Sequence, residues 1–200
     1  MKSYKTVAGA AQSEYVVSRS KFLAYCYPIQ SAEEAEERLS ALKALHPFAT
    51  HICYAYIAGR AGNLQKASDA GEPKGTAGPP ILEVLKHNGL TCALVAVVRY
   101  FGGVKLGTGG LTRAYARAAS DALKNTETKE YRLMSVLEIV LDFAAAARIR
   151  TLKHGIEVKR EFGEAVVLTL ASPEPEKLKE ETDGILQRKA EYTEKGAEYL

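Results

Sequence analysis

The sequence contains no tryptophan, and its three cysteines, Cys26, Cys53 and Cys92, stand far apart. An odd number of isolated thiols without a C-x-x-C pair fits a reducing compartment better than a disulfide scaffold. No run approaches the roughly 18 apolar residues that a membrane span needs. The opening stretch "MKSYKTVAGAAQSEY" lacks the apolar core of a signal peptide. These absences give the expectation of a cytoplasmic protein with no membrane partner. Histidine is scarce as well: of the four, His46 and His51 form H-x4-H-x-C with Cys53, which is no standard zinc spacing. No metal and no cofactor are expected. Cys26, Cys53 and Cys92 fall in apolar strand-like runs and read as core residues.

What is present is a globular composition, 46% hydrophobic and 26% charged over 200 residues, enough for one large domain or two small ones. The net charge is only +3, but it is unevenly placed. Residues 1–126 carry 15 Lys or Arg against 9 Asp or Glu, and residues 127–200 carry 12 against 15. A basic first part beside a mildly acidic second part points weakly to an anionic partner for the first, and equally to ordinary surface variation.

The clearest helix is "SAEEAEERLSALKALHP". Ser31 and Glu34 make a capping box, Ala35, Leu39 and Leu42 repeat at helical spacing, and Pro47 ends the run. Strand-like runs at 21–29 and 50–58 flank it. Then comes a Gly- and Pro-rich loop, "SDAGEPKGTAGPP" at 68–80, a short helix from Pro79 to Gly89, and "LTCALVAVVRY" at 90–100. This last run is apolar on both alternating sets and predicts a central strand covered on both faces. A helix is expected over 111–125. After the polar connector "NTETKE" the rhythm becomes β-α-β-β-α-β. Its first helix is expected over 143–155, capped by Asp142, and the whole order is that of a ferredoxin-like sandwich. The expected domains are 1–127 and 128–200.

"RYFGGVKLGTGGLTRAY", residues 99–115, holds five of the sixteen glycines within nine positions. Thr108 stands where a P-loop needs Lys, and Thr112 where a dinucleotide fingerprint needs its third glycine. What remains is a strand running through a glycine-rich turn into a helix N-terminus, with Lys105 in the turn and Arg113 and Arg117 four apart on the helix. Two readings stay open: an anion-binding loop, or glycines that let backbone segments pack closely. Asp69 and Glu72 in the 68–80 loop are candidate acid/base or metal-binding carboxylates, against a reading as turn chemistry. Tyr25 with Tyr27, and Tyr54 with Tyr56, share strand faces that could stack bases, or could pack against a helix or a second subunit.

"SDAGEPKGTAGPPILEVL" followed by "RYFGGVKLGTGGLTRAYARAASDAL" closely resembles the signature region of the Impact/YigZ family, and "SRSKFLAY" with "THICYAYIAG" fits the same family's amino-terminal domain. The resemblance implies an α+β protein. Its first domain would be like the second domain of a small-subunit ribosomal protein, a fold shared with domain IV of elongation factor G and with GHMP kinases. A ferredoxin-like carboxy-terminal domain would follow. Eukaryotic members regulate translation through an additional amino-terminal domain with no counterpart in these residues, so that partner role is not carried over. By position, the family's glycine-rich segment is Gly102, Gly103, Gly107, Gly109 and Gly110 with Lys105, Arg113 and Tyr115. Its acidic loop is Ser68, Asp69, Gly71, Glu72 and Pro73, then Gly75 and Thr76. Ala70 stands where the family usually has a second acid, and Lys74 where it has a small residue. Both departures weaken a carboxylate-based active site, and Lys74 adds positive charge.

The resulting expectation is a binding protein rather than an enzyme: a cytoplasmic, RNA- or ribosome-associated modulator of translation. Its phosphate contacts would be Lys105, Thr108, Gly109, Gly110, Arg113, Arg117, Arg99 and Lys74. The alternative is a small-molecule phosphotransferase or phosphohydrolase holding a nucleotide at the same loop. A protein partner or a second copy of the chain, met through the tyrosine-rich strands, is the third reading.

Overall fold

In the computed structural model, which describes residues 3–200, the chain is an α+β protein dividing into two units, Ser3–Glu130 and Tyr131–Leu200. The first contains β1 (Ser3–Val7), β2 (Ala11–Val17), β3 (Ser20–Pro28), α1 (Ala32–Leu45), β4 (His51–Ala58) and β5 (Leu64–Ser68). It continues with α2 (Gly78–His87), β6 (Ala93–Tyr100) and α3 (Gly107–Lys124). Strands β2-β3-β6-β4-β5 form one sheet, antiparallel at every pairing.

Strand β6 lies at its centre with Ala93 to Arg99 buried without a break, as its two-sided apolar pattern requires. Alternation assigns its side chains to two cores. Ala93, Val95 and Val97 join Phe22, Ala24, Cys26, Cys53 and Ala55 under α2 and α3. Leu94 and Ala96 join Tyr56 under Ala35, Leu39 and Leu42 of α1. Each large apolar side chain so buried contributes about 1.5–3 kcal/mol. All three cysteines are buried and free. The capping reading of α1 holds in outline: Ser31 Oγ accepts from Glu34 N–H at 3.3 Å, while Glu34 Oε2 accepts from Gln30 N–H at 2.9 Å. Tyr25, Tyr27, Tyr54 and Tyr56 lie on the α1 side of the sheet, so these rings pack around a helix.

The second unit contains most of β7 (Thr128–Leu141), then α4 (Phe143–Arg148), β8 (Ile156–Phe162), β9 (Val166–Ser172), α5 (Pro175–Leu186) and β10 (Thr193–Tyr199). Its strands pair in the order β10-β7-β9-β8, all antiparallel. Leu137, Ile139 and Leu141 of β7 and Leu168 and Leu170 of β9 share a core with Ala146, Leu178 and Leu186 of the two helices. Asp142 caps α4 by accepting from Ala145 N–H at 2.7 Å. That helix stops at Arg148 and does not reach Gly155: the backbone is already extended at Ile149, and further on the N–H groups of Lys153 and His154 donate to the Glu181 carboxylate.

Helix α3 starts at Gly107, four residues before the expected 111, so Thr108, Gly109 and Gly110 belong to its first turn. Gly103 and Gly107 carry φ of +82° and +69°, which turns the chain from β6 into α3. Gly102 has a different task. A Cβ there would lie 2.0 Å from the Arg19 carbonyl in the β2–β3 turn, and Gly102 N–H donates to Ser20 Oγ at 3.2 Å. The glycine-rich segment therefore serves close backbone packing as well as turning. Gly102→Ala forces the two backbones apart and is expected to cost about 2–4 kcal/mol. Urea unfolding checks this, and an unchanged midpoint would show that the approach is not tight.

Candidate functional site

Arginine at the end of an otherwise apolar central strand needs a counter-charge. Glu72, delivered by the 68–80 loop, supplies it. Arg99 Nη1 donates to Glu72 Oε1 at 2.6 Å, with both side chains almost fully buried (6% and 3% exposed). Tyr115, on the buried face of α3, donates its hydroxyl to the same oxygen at 2.8 Å. The guanidinium lies between two rings, its carbon 5.4 Å from the centroids of both Phe22 and Phe101. Its Nη2 reaches Ser20 Oγ at 3.4 Å, and its buried Nε has no hydrogen-bond partner among the described residues.

The loop that carries Glu72 is pinned by Asp69. Oδ1 accepts from Ala77 and Gly78 N–H, each at 2.9 Å, and Oδ2 from Gly75 N–H at 2.7 Å. Burial alone would raise the Asp69 carboxyl, but these three donors hold it below the usual carboxylate range. Asp69 thus organises the start of α2. Cys53 packs beneath, its thiol 2.9 Å from the Asp69 carbonyl and 3.4 Å from the Tyr115 hydroxyl. Burial pushes that thiol up to about 12 against the opposing effect of Tyr115. His51 Nδ1 donates to the Ala70 carbonyl at 3.0 Å, leaving Nε2 at 4.0 Å from Glu72 Oε1. His46 is engaged elsewhere, between the hydroxyls of Tyr25 and Tyr100 at 2.9 Å each. The H-x4-H-x-C residues therefore do not converge.

Beside the ion pair is a cavity of about 390 Å³ lined by Glu72, Pro73, Arg99, Phe101, Lys105, Leu106, Gly107, Thr108 and Leu111. It opens at the start of α3, which has no side-chain cap and no acid in its first turn. The first N–H groups of this 18-residue helix carry its positive dipole end. Of the expected phosphate contacts, Lys105, Thr108 and Arg99 line this cavity. Arg99 is almost fully buried and already paired with Glu72. Gly109, Gly110 and Arg113 lie on the same first turns, and the Arg113 guanidinium lies near Gly109. Arg117 is exposed but already paired with Asp121, which also takes Lys124. Lys74 is exposed on the 68–80 loop and does not line the cavity. Sequence reasoning missed the joining of Glu72 to Arg99, although a lone arginine in "ALVAVVRY" was the available signal.

Residues 18–123 match the Impact N-terminal domain family model. The chain is 42% identical over 147 residues to the IMPACT family member YvyE of Bacillus subtilis, covering 74% of this chain and 68% of that protein. It is 32% identical over 162 residues to the IMPACT family member YigZ of Escherichia coli, covering 78% and 79%. A crystal structure described as that of a hypothetical protein superposes with a TM-score of 0.65 at 26% identity, covering 96% of this chain and 97% of that one.

The buried pair makes its own prediction. Glu72→Gln keeps the shape but strands the Arg99 charge, at an expected cost of about 3–5 kcal/mol. The triple variant Glu72→Leu, Arg99→Met, Tyr115→Phe removes every stranded group and should recover more than half of that loss. Denaturant titrations decide, and a triple variant no more stable than Glu72→Gln would contradict the charge-pairing account.

Proposed function

The chain belongs to the Impact family, and we propose that it is a cytoplasmic, RNA- or ribosome-associated protein that modulates translation through its first domain. The observation that carries this reading is the uncapped start of α3, with Lys105 before it and Arg113 folded near Gly109, and no carboxylate in its first turn. Backbone N–H groups of a helix terminus together with flanking cations favour phosphate oxygens. The partner supplies the negative charge that the turn lacks. Thr108, Gly109 and Gly110 contribute the backbone donors, Lys105 and Arg113 the charges, and Lys74 adds a longer-range attraction.

The finer fold assignments belong to the same proposal. The antiparallel sheet with α2 and α3 on one face supports likeness to the second domain of a small-subunit ribosomal protein. In the second unit, the β-α-β-β-α-β order and the strand arrangement β10-β7-β9-β8 support a ferredoxin-like domain. The proposed limits are 1–127 and 128–200, supported by the start of β7 at Thr128.

A second reading has its own observation. The 390 Å³ cavity falls within the size range of small-molecule sites, so a nucleotide held by a phosphotransferase or phosphohydrolase would fit the same loop.

The test is a fluorescence-anisotropy titration with labelled single-stranded RNA across a salt series. The expected outcome is affinity that falls with salt, the logarithmic slope flattening by about 0.7 for Lys105→Ala and again for Arg113→Ala. Arg117→Ala should flatten it less, because Asp121 already neutralises Arg117. A salt-independent interaction contradicts the phosphate reading, and competition by ATP with turnover would favour the enzyme.

A further inference from the structure

The cavity contains an acceptor that its phosphate-binding neighbours do not explain. All the hydrogen bonds of the Glu72 carboxylate go to Oε1, from Arg99 and Tyr115. Oε2 takes none among the described residues, although the side chain is only 3% exposed and lines the cavity. An ionised carboxylate oxygen can only accept, so Oε2 is open to a donor presented from the cavity. A fully ionised phosphate has none to offer. A ligand that uses the whole cavity carries an anion for the α3 terminus and hydroxyl or amino donors for Glu72.

A third element narrows the class. The Phe101 ring is 47% exposed and lines the same cavity, offering a face on which a base can stack. Pro73, Leu106 and Leu111 supply apolar wall. About 390 Å³ holds one nucleotide unit rather than a continuing strand.

We propose that the cavity beside the start of α3 receives a nucleoside 5′-phosphate unit with a free 2′,3′-diol. Its phosphate lies against Lys105, Thr108 and the α3 N–H groups, its diol on Glu72 Oε2 and its base on Phe101. Resting on the RNA reading above, this makes the site a reader of the 3′ end of RNA. The same chemistry is offered by a free mononucleotide. An internal nucleotide has its 3′ oxygen esterified and presents one hydroxyl instead of two.

The experiment compares one short single-stranded RNA in three forms, by anisotropy at fixed salt: linear with a free 3′ diol, linear with a 3′-phosphate, and ligated into a circle. AMP and 2′,3′-dideoxy-AMP serve as competitors. The diol-ended RNA is expected to bind at least tenfold more tightly than the other two, with AMP competing and the dideoxy analogue failing. Thr108→Glu places a carboxylate where the helix dipole tolerates it and should abolish that preference. Phe101→Ala should reduce it several-fold. Equal affinity for circular and diol-ended RNA would overturn the end-reading proposal while leaving RNA binding intact. Diol-dependent AMP binding without RNA binding would keep the cavity assignment, identify a free nucleotide as its ligand and overturn the RNA reading. Binding of neither would overturn both.

Discussion

Glu72 and Arg99 meet in a place where neither could remain charged alone. The loop that brings the carboxylate has few apolar residues to hold it down, and the strand that brings the guanidinium is otherwise hydrocarbon. Two charges taken out of water cost several kcal/mol each unless they are paired and hydrogen-bonded. The pair therefore dictates how three elements meet: the 68–80 loop must close over the end of β6, and α3 must present Tyr115 to the shared oxygen. Asp69 shapes the loop for this by gathering the N–H groups of Gly75, Ala77 and Gly78. Gly102 lets the chain leaving β6 touch the β2–β3 turn at backbone distance. The cavity is the space left among these constraints, and the uncapped start of α3 faces it with its positive end.

The same constraint explains what could be read from the amino-acid order alone. α1 was legible because its cap, repeat and stop are local, and β6 because a strand apolar on both faces must lie at a sheet's centre. The β-α-β-β-α-β rhythm of residues 131–200 was legible for the same reason. Strands β2 and β5 were not. "AQSEYVV" and "LQKAS" are edge segments of mixed polarity, held by pairing with β3 and β4 across register that no local pattern shows. The start of α3 was placed too late because glycines weaken helix propensity, while here the turn out of β6 sets the helix in motion at Gly107. In the site, the cations of the glycine-rich segment were visible as residues. Their division was not: Arg99 is turned inward to Glu72, Arg117 is bound to Asp121, and Lys105 and Arg113 have no ion pair among the described residues. Which charge is spent inside the fold depends on contacts 27 residues apart, as for Glu72 and Arg99.

That division gives the functional reading its physical content. A net charge of +3 attracts no polyanion strongly, and the whole-chain balance says little about binding. What matters is that the first turn of α3 has no acidic residue, and that the Glu72 carboxylate beside it is paired with Arg99 through Oε1. The tyrosine-bearing side of the sheet, by contrast, is occupied by α1 and by the Tyr25–His46–Tyr100 hydrogen bonds, which leaves less of it for bases to stack on.

The most direct measurement is a titration of the ¹⁵N-labelled protein with short single-stranded RNA, followed by amide chemical shifts. The account requires the largest perturbations at the backbone amides of 105–110, with the amides of α1 and of the second unit little changed. Shifts concentrated on the α1 side of the sheet or on the second unit, with 105–110 unmoved, would contradict it.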